Sequence, residues 1–496
     1  MNMWTQDFQY AARRLSKSPS FTLMAILTLG IGIGANTAVF SVVYDVLLKP
    51  LGYSQPQQLV VIQESIQSAE AAFSQLPANA NHLVYWQKHS TQFSGVAALL
   101  PASMPLGVRQ PEEIAVAQQT ANLFSLLRVS PRLGRAFRTD EDQPGHNNVI
   151  ILADSLWKRR YGADPNIIGT STTLDGRPYQ IIGVMGPRFT LPVSRAIGET
   201  HGANREVEAF VPFGWSADVL EEVEGDHNYF AIGRLKPGAS VAKASSELTA
   251  LQGAISQQTP DKVRYGAVIT PLQEYLTGSS RDPLLLVLAA VGAVLFLSCI
   301  NIANVLLTRA SSSSREVAIR TALGASRRSL LWAALAEPVI LSAFGYVLGI
   351  MLAETAAPLI LRNVPPDLAR VNQFHVDLVA LGFAVFISTV VALLCGILPA
   401  RKYAAESPES VLRSETNKAT QTQATKKLRS GLIVSEVGAS LALLMVAGLF
   451  LASMVKLLRV ERGFQSEHVL SAEILLPAMQ YEKFVQPDRF LRPCAG

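Results

Sequence analysis

Five long apolar runs constrain this chain more than any other feature. They lie at about Phe21–Leu48, Leu284–Leu307, Leu331–Ala353, Leu378–Leu398 and Leu432–Val455. A helix needs about 20 apolar residues to cross the hydrocarbon of a bilayer, and each run reaches that length. Composition agrees: 49% of residues are hydrophobic and only 16% charged, where a soluble domain carries about a quarter. Such a chain is neither an ordinary cytosolic enzyme nor a disordered one, since disorder needs low hydrophobicity and high net charge. The first run follows a basic start, as a signal peptide does, but it is longer than the usual apolar core of 7–15 residues. It reads as a span.

Charge placement orients the spans. Residues 1–20 carry a net +2, residues 309–330 a net +4 and residues 399–430 a net +4, whereas residues 49–282 carry 20 basic and 22 acidic side chains. Excess Lys and Arg marks the cytoplasmic side. The N-terminus and two loops are therefore expected inside and residues 49–282 outside. The overall +5 is not a nucleic-acid footprint, because it sits in loops beside spans. The expected fold is thus an α-helical membrane protein of about five transmembrane helices, with a large α/β extracytoplasmic domain between spans one and two.

Within that outer region the pattern is mixed α/β. Asn148–Leu152 is a short buried-strand pattern, and Asp154 offers an N-cap for a helix through Tyr161 that Gly162 stops. Asp175-Gly176 between Thr172 and Val184 signals a hairpin. Phe230–Leu235 is a strand, and Val241, Ala244, Leu248, Leu251 and Ile255 form a helical stripe. Residues 64–80 and 190–226 are polar and expected to be loop-rich. Trp86, Trp157 and Trp215 are expected as core or interface anchors.

Several chemistries are missing from the sequence. Cys299, Cys395 and Cys494 allow no CxxC and no disulfide framework in the outer region. There is no GxxxxGK[ST] loop, hence no nucleotide hydrolysis by this chain, and no GxSxG elbow. The seven histidines (82, 89, 146, 201, 227, 375, 468) lack HExxH or His-x3-5-His spacing and are expected at the surface. No catalytic, cofactor or metal site is therefore expected. Gly30 and Gly34 make a GxxxG face for close helix packing, not part of a dinucleotide fingerprint.

The exits of the first and fifth spans are alike: Leu47-Leu48-Lys49 followed by Gly52-Tyr53, and Leu457-Leu458-Arg459 followed by Gly463-Phe464. This reads as an internal repeat restarting near residue 428, one complete unit followed by the start of a second. The expected parts are a cytoplasmic N-terminus (1–20), the first span (21–48), the outer domain (49–282), a permease part (283–400), a cytoplasmic linker (401–430), the fifth span (431–457) and the beginning of a second outer domain (458–496).

Polar groups inside the spans are Asn301, Asn304, Glu337 and Glu436. Intramembrane carboxylates are costly and face the bundle or water. They serve either a proton or substrate path or, as their place near the span ends favours, hydrogen bonding between helices and pairing with loop arginines.

The most informative stretch runs Ser314-Arg315-Glu316-Val317-Ala318-Ile319-Arg320-Thr321-Ala322-Leu323-Gly324-Ala325-Ser326. By itself it is a short amphipathic helix ended by Gly324, suited to lipid or to a groove in a partner protein, or simply a positive-inside loop. Its string resembles the signature of FtsX-like permeases of the MacB type. Ser18-Pro19-Ser20-Phe21 and the run Gly30–Phe40 resemble the first span of the duplicated permeases of that group. Leu156–Gly162 and Leu174-Asp175-Gly176 resemble their periplasmic core domain, and Leu398-Pro399-Ala400-Arg401 the end of the last span of their permease module. The resemblance implies a type VII ABC architecture in a bacterial inner membrane. Arg315, Glu316, Arg320, Leu323, Gly324 and Ala325 would form the coupling loop that touches a separate ATPase. A second permease half, identical or not, would complete the pair, and a periplasmic adaptor is a further candidate partner. ATP would be bound by the partner subunit, and the chain itself would carry no cofactor. Unlike MacB, the sequence shows no N-terminal ATPase domain, and its second half stops early relative to the duplicated permeases. The competing reading is a membrane-anchored sensor or scaffold without ATPase coupling.

Overall fold

The computed structural model describes residues 3–67, 72–108, 111–187, 189–191, 206–259, 263–312, 327–363, 377–405 and 423–459. In chain order the elements begin with α1 (Met3–Ser16), α2 (Pro19–Val43), β1 (Leu59–Gln67), β2 (Ala72–Leu76), α3 (Ala80–His89), β3 (Phe93–Leu106) and β4 (Glu112–Gln119). Next come α4 (Leu123–Leu127), β5 (Leu133–Gly134), β6 (Val149–Leu152), α5 (Asp154–Tyr161), β7 (Ser171–Leu174), β8 (Arg177–Val184) and β9 (Ala209–Pro212). The rest are α6 (Ala217–Glu221), β10 (Phe230–Leu235), α7 (Val241–Ser256), β11 (Arg264–Pro271), α8 (Leu272–Ser312), α9 (Arg327–Asn363), α10 (Leu378–Ala405) and α11 (Gln423–Leu458). They fall into a helical unit (residues 1–49 and 280–469) and a unit whose described part is residues 50–279.

In the helical unit, five helices are long and apolar enough to cross a membrane: Pro19–Leu48, Arg281–Arg309, Ser329–Thr355, Leu378–Ile397 and Ile433–Lys456. Each lies within three residues of an apolar run of the sequence. The first four share a core with α1, containing Leu15, Leu29, Ile33, Leu295, Cys299, Leu341 and Val391. In lipid no hydrophobic force drives helices together, so close packing and interhelical hydrogen bonds must do so. Both are present. A methyl group on Gly34 would meet the Gly349 carbonyl oxygen at 2.7 Å, one on Gly345 would meet Leu29 Cβ at 2.9 Å, and one on Gly349 would meet the Gly34 nitrogen at 2.9 Å. A methyl on Gly30 would run into the Leu348 side chain at 2.7 Å. Two small-residue stripes, Gly30/Gly34 on α2 and Gly345/Gly349 on α9, thus let the two backbones touch. Asn36 donates to the carbonyls of Gly32 (2.8 Å) and Val291 (3.0 Å), tying α2 to α8, and Ser388 donates to the Ser342 carbonyl (3.1 Å), tying α10 to α9. The fifth span differs: none of its apolar window is buried.

The other unit is one mixed sheet of eleven strands among the described residues, ordered β11-β1-β10-β3-β4-β9-β6-β8-β5, with β2 beside β1 and β7 bridging β3 and β8. Most neighbours are antiparallel; β4/β9 and β6/β8 are parallel. Helices α3 and α7 pack over β1, β10, β11 and the start of β3, around Val60, Ile62, Trp86 and Leu248. Helix α5 covers β6, β8 and β9, around Ile150, Leu156, Trp157 and Ile181. The hairpin β7–β8 turns through Asp175 (φ 49°) and Gly176 (φ 76°), the paired left-handed residues of a type I′ turn. Gly162 (φ 59°) ends α5, as its sequence position indicates.

Four details differ from the sequence reading. Asp154 is the first helical residue of α5, with Ala153 at the cap, and its carboxylate pairs with Lys158 at 2.7 Å instead of capping. On α7 the stripe admits a buried Gln252 between Leu248 and Ile255. Residues 64–80 are not loop-rich: they contain the second half of β1 and all of β2, and residues 209–221 hold β9 and α6. Finally, His82 is fully buried and His227 is only partly exposed. Glu64 and His82 are core residues whose polar atoms meet partners inside the fold, which hydropathy alone does not register. The linker residues 406–422 and the segment 460–496, where a second outer domain is expected to begin, lie outside the described residues.

If the two glycine stripes set the α2–α9 distance, Gly34→Ala destabilises the unit by about 1–3 kcal/mol through overpacking. Gly382→Ala on α10, where a methyl meets nothing within 4 Å, leaves it unchanged or slightly improved. Thermal unfolding of both variants in detergent compares them directly.

Candidate functional site: the helix ends beside the basic loop

The loop singled out by sequence joins α8 to α9. Arg315, Glu316, Arg320, Leu323, Gly324 and Ala325 all lie outside the described residues, but the helix ends that hold the loop do not. Helix α1 carries Arg13 and Arg14 in its last turn. The chain then bends at Ser18-Pro19, where Pro19 starts α2 at a position that needs no backbone donor. The Thr22 hydroxyl donates across the bend to the carbonyls of Leu15 (2.9 Å) and Ser18 (3.0 Å). Leu15 and Ala11 are buried, which seats α1 beside the bundle.

That seat aims Arg14 inward. Its guanidinium pairs with Glu337 Oε1 of α9 at 3.2 Å and donates to the Arg309 carbonyl at the end of α8 at 3.1 Å. Arg309 in turn stacks its guanidinium over Phe21 of α2, 4.1 Å from the ring centre. One cluster therefore joins α1, α2, α8 and α9 at the mouth of the basic loop. Glu337 is 9% exposed. Of its two sequence readings, the pairing is the one observed, although the arginine comes from α1 and not from the loop. With its amide oriented to donate, Asn301 lies 2.6 and 3.1 Å from the two carboxylate oxygens of Glu436 on α11. These contacts can fix the helix ends as a unit; among the described residues they contain no nucleophile paired with a base.

Sequence reasoning missed Arg14, which looked like one more positive-inside charge. It also missed Arg234 of β10. That side chain, 3% exposed, donates to the carbonyls of Leu126 (2.6 Å), Ser54 (3.0 Å) and Gln55 (3.3 Å). Burial, with help from the charge of Arg128, holds its pKa below the ordinary guanidinium value. It is a buried cation that staples the end of α4 to the start of the unit.

Comparison with known proteins sets these pieces in order. Residues 22–251 match the family model of the MacB-like periplasmic core domain, and residues 288–408 match the FtsX-like permease C-terminal domain. The chain belongs to the MacB/FtsX-type permeases. Among similar proteins of this group, the macrolide export ATP-binding/permease protein MacB of Azoarcus sp. (strain BH72) is 26% identical over 322 residues, covering 63% of this chain and 45% of that protein. The pyoverdine export ATP-binding/permease protein PvdT of Pseudomonas putida (strain KT2440) is 25% identical over 287 residues, covering 58% and 41%. The chain thus spans about half the length of the curated relatives it matches. The crystal structure of the periplasmic region of MacB from Actinobacillus actinomycetemcomitans covers 45% of this chain and 92% of its own, at 13% identity and a TM-score of 0.32. Both matched family descriptions are of permease parts, not of a catalytic domain, whereas the relatives' names add ATP binding.

Removing Arg14 strands a partly buried carboxylate. Allowing for the exposure of the pair, Arg14→Ala should cost about 1–3 kcal/mol, and Glu337→Gln in the same chain should recover part of it. A double-mutant cycle on thermal unfolding in detergent reads the coupling; a double variant no more stable than Arg14→Ala would rule the pair out as a determinant.

Proposed function

We propose that this protein is the permease subunit of a MacB-type ABC exporter in a bacterial inner membrane. A separate ATPase would bind the loop between α8 and α9 on the cytoplasmic face, with the N-terminus on the same side and the α/β unit outside. What carries the reading is the order of the matched parts: the MacB-like periplasmic core domain over residues 22–251, a match that takes in the first span, followed by the FtsX-like permease domain over residues 288–408.

The chemistry fits this division of labour. The loop string alternates basic and apolar residues, as a helix that docks in a protein groove does. The Arg14–Glu337–Arg309 cluster at its base would turn a push on the loop into a shift of several helix ends together, since packed elements move as units. Hydrolysis by the partner would in this way move the outer domain, for export or for mechanical signalling across the membrane. The unburied fifth span leaves an apolar face for lipid or for a second permease half. Macrolide and pyoverdine belong to the relatives' names; the cargo of this chain would be set by its own outer domain.

Arg320→Ala combined with Leu323→Ala should lower recovery of an ABC ATPase, co-purified from detergent, at least tenfold, while membrane insertion is retained. An ATPase bound normally by the double variant would remove the loop from the interface. Failure of the unaltered protein to recover any ATPase, repeated across detergents, would favour the scaffold reading.

A further inference from the structure

We propose that Glu64, His82 and His227 form a binding site for a divalent d-block cation, of the zinc type, that clips three segments of the α/β unit together. The ligand atoms of the three side chains lie within 4.8 Å of one another. Two imidazoles and one carboxylate are a donor set suited to such ions.

Each ligand comes from a firm place. On β1, Val60, Ile62 and Glu64 alternate onto one face; the first two are core residues beneath α3 and α7, and Glu64 is fully buried with them. His82 sits one turn before Trp86 on the buried face of α3. His227 precedes β10, and its segment is pinned to the start of α3 by the bridge between Ala78 and Tyr229, with backbone bonds of 2.7 and 3.1 Å. The Asn79 backbone N–H donates to Glu64 Oε1 at 2.8 Å, while the Asn79 side chain caps α3. An outer partner of this kind is what orients a metal-ligating carboxylate.

The hydrogen bonding within the cluster is incomplete without a cation. Glu64 Oε2 is approached by two ring nitrogens, His82 Nδ1 at 2.7 Å and His227 Nε2 at 3.2 Å. His227 Nε2 lacks the alignment of a hydrogen bond to that oxygen and is buried with no partner among the described residues. Buried polar nitrogens are rarely left so. A zinc-type ion binds nitrogen and oxygen at about 2.0–2.2 Å, so its ligands stand roughly 3.3–3.5 Å apart. The 3.2 Å pair fits, and the 2.7 Å pair must open slightly. His227, with 12% of its side chain exposed, gives the ion a route in and leaves one coordination position to water.

The test uses the full chain in detergent, stripped with EDTA and returned to zinc chloride. The unaltered protein should retain about one zinc per chain after gel filtration, by elemental mass spectrometry, and unfold about 4 °C or more higher than its stripped form. His227→Gln, at the partly exposed position, should fold yet bind zinc more than tenfold more weakly. X-ray absorption at the zinc edge of the unaltered protein should show two imidazoles, whatever the variants do. Zinc far below one per chain, zinc retained equally by His227→Gln, or an edge spectrum without imidazole would each overturn the proposal; the first would leave a proton-bridged ion pair.

Discussion

The approach of α2 to α9 is the contact on which the helical unit depends. A bilayer gives helices no hydrophobic reason to associate, so the driving terms are van der Waals contact and polar bonds between helices. Gly30 and Gly34 against Gly345 and Gly349 bring the two helices together, backbone to backbone at Gly34 and Gly349 and backbone against Leu348 and Leu29 at Gly30 and Gly345. Every further contact of the bundle presumes that distance. Leu29 and Ile33, flanking the stripe, can then reach Leu341 and Val391 in a shared core. At the loop end, the same approach brings α1 beside α9, which lets Arg14 span to Glu337.

The α/β unit solves a different problem. Its long strand pair β3–β4 is common to two lobes, one under α3 and α7 and one under α5. Without disulfides, and with one sheet crossing both lobes, the unit is held by apolar burial and by a small number of buried polar staples. Arg234 and the Glu64 cluster are the clearest of these. A buried charge stabilises only when its surroundings satisfy it, and removing one partner is costly. Such residues therefore specify how segments distant in sequence meet, more than they add to stability.

What could be read from the sequence followed the range of the signal. The five spans are local: one run of apolar letters decides each, and the membrane-crossing part of each helix begins and ends within three residues of its run. The Asp175-Gly176 hairpin, the Gly162 stop and the strand Phe230–Leu235 are equally local, and the structure agrees with each. Apart from the Asp154 cap, which the structure shifts by one residue, the errors were non-local. Residues 64–80 look polar because Glu64, Ser65, Gln67 and Ser68 interrupt the run, yet half of that stretch is strand. Glu64, His82 and His227 are separated by 18 residues and then by 145, so no spacing rule applied to one helix or hairpin can connect them. The family strings succeeded where periodicity did not, because they encode a whole arrangement that no short window contains.

The loop-end cluster shows how a charge in an apolar span becomes useful instead of merely tolerated. Glu337 lies inside the span Ser329–Thr355 and close to its start, where the cost of a carboxylate has fallen from its value at the bilayer centre. Deeper in the span it would be too costly; in the loop it would be solvated and its interaction with Arg14 screened. At this depth the attraction is little screened, and the Arg14 guanidinium, planar with several donors, can hold the carboxylate and the Arg309 carbonyl together. Two adjacent helix ends and the N-terminal helix are thus fixed to one another by a single side chain. Under the proposed function, a force entering through the loop between those ends would meet a joined frame, as coupling across a membrane would require.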